Sequence, residues 1–231
     1  MLKLMKLELK KYKIGRYLPG ILIANAVILL LIGGVHVAEQ VDGVIDAYQN
    51  YAMAFSVIIG FVKVTFVIFA SVILAKLVIG EYNSKTVNIL FTYPVRRKKI
   101  MAAKLLLVSL WTFSTVLLSG LFVTGAFLLA DASLNMVPET LTAPMIVHHI
   151  LRLLLNAVSA AGVCLIPLLF GMMKKSVPAT IVSAVILVTI IDSNNMGFSL
   201  SAGYILPLVF AAAGVLVAFW SIRKIETSDV L

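Results

Sequence analysis

Long apolar runs, broken only by short polar stretches, constrain this chain more than any other feature of it. A helix needs about 20 mostly apolar residues, at about 1.5 Å each, to cross the roughly 30 Å hydrocarbon core of a bilayer. Six segments meet or approach that length: Leu18–Val37, Tyr51–Ile79, Ile100–Ala130, Met145–Met173, Val177–Asp192 and Gly203–Trp220. The chain is 61% hydrophobic and 13% charged, against roughly 45–50% and about 25% in a soluble domain. It lacks the polar residues to coat a water-soluble globule, so lipid must be its main solvent. The expectation is an all-α integral membrane protein, one transmembrane domain over residues 1–231 with six spanning helices. The second, third and fourth runs, at about 45 Å each, must tilt or project from the lipid. The fifth is short, since Pro178–Ile191 reaches only about 21 Å.

Charge then orients these helices. The 19 Lys and Arg against 10 Asp and Glu give a formal net charge of +9, and 17 of the 19 fall on one side of the expected bundle. Lys3, Lys6, Lys10, Lys11, Lys13 and Arg16 precede the first run, and Lys85 and Arg96 to Lys99 lie between the second and third. Lys174 and Lys175 follow the fourth, Arg223 and Lys224 follow the sixth, and Lys76 and Lys104 sit just inside the ends facing that side. The opposite loops, 38–50, 131–144 and 193–202, hold no Lys or Arg but carry Glu39, Asp42, Asp46, Asp131 and Glu139. The positive-inside rule places both termini in the cytoplasm. In such a protein a positive charge reports orientation rather than nucleic-acid binding. The first apolar run is too long for a signal-peptide core and no small-x-small cleavage pair follows it, so it is read as a retained span.

The cytoplasmic side carries structure of its own. In residues 1–16, Leu2, Met5, Leu9 and Tyr12 form one helical stripe and Lys3, Lys6, Lys10 and Lys13 the next. That pattern predicts an interfacial amphipathic helix suited to anionic headgroups or to a cytoplasmic partner. Between the second and third runs, Asn83 or Ser84 can cap a short helix that Pro94 stops. Its apolar Val87, Leu90 and Phe91 lie close to many charges and need a surface to cover them.

These residues carry a resemblance. Glu81, Thr86, Leu90, Pro94, Arg97, Ile100 and Lys104 are spaced similarly to a motif of permease subunits in the type-2 export class of ATP-binding-cassette transporters. The small lantibiotic-immunity and bacitracin-resistance permeases are among these. Lys85 departs from the glycine usual there, while the six-span plan with both ends inside also matches. The resemblance implies that residues 81–95 form a coupling helix seated in a groove of a separate nucleotide-binding subunit. Glu81, Tyr82, Ser84, Thr86, Val87, Leu90, Phe91, Pro94 and Arg97 would make that contact. It further implies a second permease chain, a homodimer partner or sibling, in a bacterial cytoplasmic membrane, and export of amphipathic or hydrophobic cargo such as antimicrobial peptides or drugs. ATP and Mg²⁺ would be bound by the partner, because no G-x-x-x-x-G-K-[ST] loop, nor any Gly-Lys pair, occurs in this chain. Residues 193–203 resemble the family's short re-entrant helices on the outer side.

Polar groups inside the apolar runs are the remaining candidates. Lys63 lies roughly 25 Å from one end of its run and 18 Å from the other, so it should face a protein or water-filled interior, as a structural pair or in the transport path. His149, Arg152 and Asn156 share a helix face with Ser159. Arg152 either reaches for headgroups, Glu139 or Asp131, or lines a polar outer vestibule. Ser56 joins the small and polar stripe near Lys63. Ser109, Thr112, Thr115 and Ser119 form another, suited to interhelical hydrogen bonds. The single Cys164 is read as a small buried hydrophobe. The histidines, His36, His148 and His149, form no H-E-x-x-H motif, and no catalytic residues or metal ligands are assigned. Two other function classes remain. An ion-coupled secondary carrier would need span acids, which are nearly absent here; a non-transporting scaffold would need no polar interior.

Overall fold

A computed structural model describes residues 17–42, 48, 50–80, 97–134, 136–174, 176–193 and 205–227. The expected interfacial helix over 1–16, the coupling loop over 81–95 and residues 194–204 lie outside them. Every regular element described is helical. In chain order these are α1 (Leu18–Asp42), α2 (Tyr51–Leu74, continued by a π-helical turn over Ala75–Ile79), α3 (Arg97–Leu134), α4 (Ala143–Val163), α5 (Pro167–Lys174), α6 (Val177–Ser193) and α7 (Ile205–Thr227).

Four stretches are long and apolar enough to cross a membrane: Leu18–Ala38, Tyr51–Ile79, Lys98–Leu134 and Ala143–Lys174. Val177–Ile191 and Leu208–Ser221 are shorter apolar helices. The fourth expected run is not one helix. It ends at Val163, turns through Cys164–Ile166 and restarts at Pro167. Pro167 has no N–H to donate and its ring crowds the carbonyl four residues back, which belongs to Val163. The turn is closed by tighter bonds, Leu165 N–H to Gly162 O at 3.0 Å and Ile166 N–H to Val163 O at 3.0 Å.

The centre of the bundle is α2, which packs on α1, α3, α4 and α6. Its buried stripe follows helical spacing through Tyr51, Ala54, Phe55, Ile58, Val62, Phe66, Ala70 and Leu74. Asn50 starts it, with extended backbone and a side-chain oxygen accepting from Met53 N–H at 2.8 Å. At the edge, α1 has 17% of its span window buried against 61% for Ala143–Lys174. Its exposed Leu18, Leu22, Ile23 and Leu30 are continuous apolar surface of the kind lipid covers. Lipid tails are as apolar as leucine, so helices here associate through close packing rather than by escaping water.

The closest packing joins α4 to α7. A Cβ built on Gly162 would stand 2.5 Å from Ala211 Cα and 2.6 Å from its carbonyl oxygen, and one on Gly214 would run into the Gly162 carbonyl. Only glycine lets these backbones meet. Gly214→Val should therefore lower stability by about 2 kcal/mol or more, the cost of overpacking a tight contact. Gly34→Ala, where a Cβ meets nothing within 4 Å, should be neutral or slightly stabilising. Thermal unfolding midpoints of the two variants in one detergent check the pair.

Candidate functional site

The helix ends sort by charge. Lys76, Lys98, Lys99, Lys104 and Lys174 occupy one end of the bundle, where the π turn, the start of α3 and the end of α5 meet. Arg97, from the expected coupling set, opens α3 there, while Glu81, Tyr82, Ser84, Thr86, Val87, Leu90, Phe91 and Pro94 lie outside the described residues. What is described is the platform beneath that loop. Gly80 N–H bonds Ala75 O, one residue farther back than in an α-helix. Lys104, 3% exposed, donates from Nζ to the Leu77 carbonyl at 3.1 Å. A lysine of α3 thus satisfies a carbonyl of the widened turn from which the loop departs. Such π turns often mark functional sites.

The opposite end is held by carboxylates. Tyr51 donates its hydroxyl to Asp131 Oδ2 at 2.6 Å and its backbone N–H to Glu139 Oε2 at 3.1 Å. Asp131 Oδ1 accepts from Val137 N–H at 3.0 Å. The start of α2 is therefore tied to both sides of the α3–α4 connection. Behind this knot, Tyr48 donates to Ile32 O at 2.8 Å and stacks on Phe127 at 5.7 Å, joining α1 to the same end. These carboxylates are the groups the sequence offered Arg152; among the described residues no ion pair joins Arg152 to either, and Tyr51 donates to one oxygen of each.

Between α2 and α4 at this end lies a cavity of about 420 Å³. Phe55, Ile59, Pro144 and Met145 give it apolar walls, and Asn50, Ser56, Glu139, His148, His149 and Arg152 supply polar groups. Three of the five expected path residues, Ser56, His149 and Arg152, therefore share one cavity. Asn156 does not line it; its Nδ2 donates to the Arg152 carbonyl at 2.9 Å. Lys63 does not line it either; at 5% exposure it faces the bundle rather than lipid.

His149 is the most constrained group in the cavity. It is 3% exposed, stacks on Phe55 at 4.1 Å between centroids, and has Nε2 within hydrogen-bonding distance of Thr124 Oγ1 at 2.9 Å. Its buried Nδ1 has no hydrogen-bond partner among the described residues. Sequence reasoning missed Phe55, Thr124 and the double role of Tyr51. Thr124 offered a faint signal as a hydroxyl within an apolar run; nothing local pairs it with His149, 25 residues away. Of the α3 hydroxyl stripe, Ser109 crosses to the Ala161 carbonyl of α4 at 2.9 Å and Thr112 approaches Cys164 Sγ at 3.5 Å, while Thr115 bonds back within its own helix. Among the described residues no three His, Cys, Asp or Glu side chains cluster to hold a metal ion.

Comparison with known proteins supplies what geometry alone does not. A family model described as ABC-2 family transporter protein matches residues 4–190. A Bacillus subtilis (strain 168) protein named Uncharacterized protein YcbO is 38% identical over 228 residues, 99% of this chain and 100% of that protein. No solved structure matches. With the family match running through the apolar helical bundle over most of its length, the chain belongs to the ABC-2 family of transporter proteins, as a membrane permease subunit of an ATP-binding-cassette transporter.

Proposed function

We propose that this chain is the membrane half of an exporter driven by a separate ATPase subunit, which binds ATP and Mg²⁺ in its place. The family match over residues 4–190 carries the reading. The chain acts in a bacterial plasma membrane as a six-span permease with both termini in the cytoplasm, paired with a second permease chain. The crowding of lysines at one bundle end supports that orientation. Its cargo is amphipathic or hydrophobic, of the antimicrobial-peptide or drug class, and resistance or immunity is the physiological outcome.

In this reading the loop over 81–95 is the coupling helix. Apolar Val87, Leu90 and Phe91 seat in a groove of the ATPase, and closure of its nucleotide-bound dimer pulls on α2 and α3. The Lys104 bond to the π turn supports the mechanism, because it ties the base of the loop to α3 so that both helices move with it. Residues 193–203 form a short re-entrant element against the protein, where non-helical backbone is tolerated. Lys63, Ser56, His149, Arg152 and Asn156 are the groups along the path. This chain performs no catalysis.

Co-expression with the ATPase encoded in a neighbouring reading frame should give a complex that co-purifies and hydrolyses ATP. Recovery of the chain alone, with transport driven by a proton gradient, would show the reading to be wrong. Within the complex, Glu81→Ala and Leu90→Ala should cut export about tenfold or more while leaving expression normal. ATPase and vesicle-transport assays run in parallel detect this uncoupling. Lys104→Met should act in the same direction, since it leaves the Leu77 carbonyl without its ammonium donor.

A further inference from the structure

We propose that the cavity between α2 and α4 binds the phosphate of a membrane phospholipid, with Arg152 and His149 as its ligands and the acyl chains lying along the apolar walls. The first argument is the position of a charge. Arg152 lies nine residues into α4, within a stretch long and apolar enough to cross a membrane, where an ionised side chain is costly unless paired. Among the described residues no ion pair joins it to Asp131 or Glu139, whose Oδ2 and Oε2 accept from Tyr51.

The second argument is chemistry. A planar guanidinium pairs with phosphate through two parallel hydrogen bonds. His149 lines the same cavity with a buried Nδ1 that has no partner among the described residues. If the Thr124 hydroxyl donates to Nε2, the ring proton sits on Nδ1, a donor for a phosphate oxygen. Glu139 also lines the cavity, with its Oε2 accepting the Tyr51 N–H, so the phosphate has to seat against Arg152 and His149 and away from that carboxylate. The remaining wall, Phe55, Ile59 and Met145, is suited to hydrocarbon rather than to a free ion. A polar rim over an apolar wall is complementary to an amphiphile with a phosphate head.

Native mass spectrometry of the full chain in detergent tests this, with dioctanoylphosphatidic acid as probe and dioctanoylglycerol and inorganic phosphate as the two halves of it. The phospholipid should bind one to one and about tenfold or more tighter than dioctanoylglycerol, the difference one charge-assisted pair supports. Arg152→Gln should abolish that difference, Arg152→Lys should restore part of it, and Lys174→Gln at the opposite end should leave it intact. His149→Phe, which keeps a ring against Phe55, is a second route to the same loss should Arg152→Gln fail to fold. Equal binding of both lipids, or undiminished preference in Arg152→Gln and His149→Phe, overturns the proposal. Competition by inorganic phosphate at the same concentration as the phospholipid also overturns it, by assigning the site to a free anion. The assay contains no ATPase and measures no transport, so its failure leaves the permease reading standing.

Discussion

Lipid offers a backbone no hydrogen-bond partners, and this structure follows from that shortage. Each N–H and C=O within the hydrocarbon must be satisfied inside its own segment, which leaves helices as the form these apolar runs can take. Departures from regular helix occur where a substitute is at hand. The turn at Cys164–Ile166 closes its own tighter bonds, and the π turn at Ala75–Ile79 has the ammonium of Lys104 against one of its carbonyls. Both irregularities sit where α2, α4 and α5 are covered by other helices, the setting in which the cost of disturbed backbone can be met.

The same shortage explains how the two bundle ends differ. At the basic end the buried Lys104 bonds to the Leu77 carbonyl and ties α3 to the π turn that ends α2. At the other, Tyr51 spends both its hydroxyl and its backbone N–H on Asp131 and Glu139, tying α2 to the α3–α4 connection. The arginine two turns into α4 lines a cavity at this end, and among the described residues no ion pair joins it to either carboxylate.

Much of the fold was readable from residue order. The starts and ends of α1, α2 and α6 fall within a few residues of the runs of apolar sequence, and the lysine-rich side emerges as one physical end of the bundle. Pro167 was visible but its consequence was not, since a proline within a long apolar run can bend a helix or break it. In the structure the break falls directly after the close approach of α4 and α7 at Gly162 and Gly214. The candidate site was half legible. Ser56, His149 and Arg152 declared themselves as polar residues in apolar surroundings. Phe55 and Thr124 did not, because an aromatic in a spanning helix and a threonine in another look like ordinary packing until the fold brings them to either side of one imidazole.

By itself, then, the sequence determined solvent and secondary structure: composition selects lipid and lipid selects helix, and the spacing of its lysines gathers Lys76, Lys98, Lys99, Lys104 and Lys174 at one end of the bundle. Only the tertiary structure decided which polar groups satisfy one another. Partner choice depends on distances between segments 80 or more residues apart, as with Tyr51 and Asp131, and no local pattern encodes such a distance. Hence Asp131 and Glu139 accept from Tyr51, and among the described residues no ion pair joins either to Arg152.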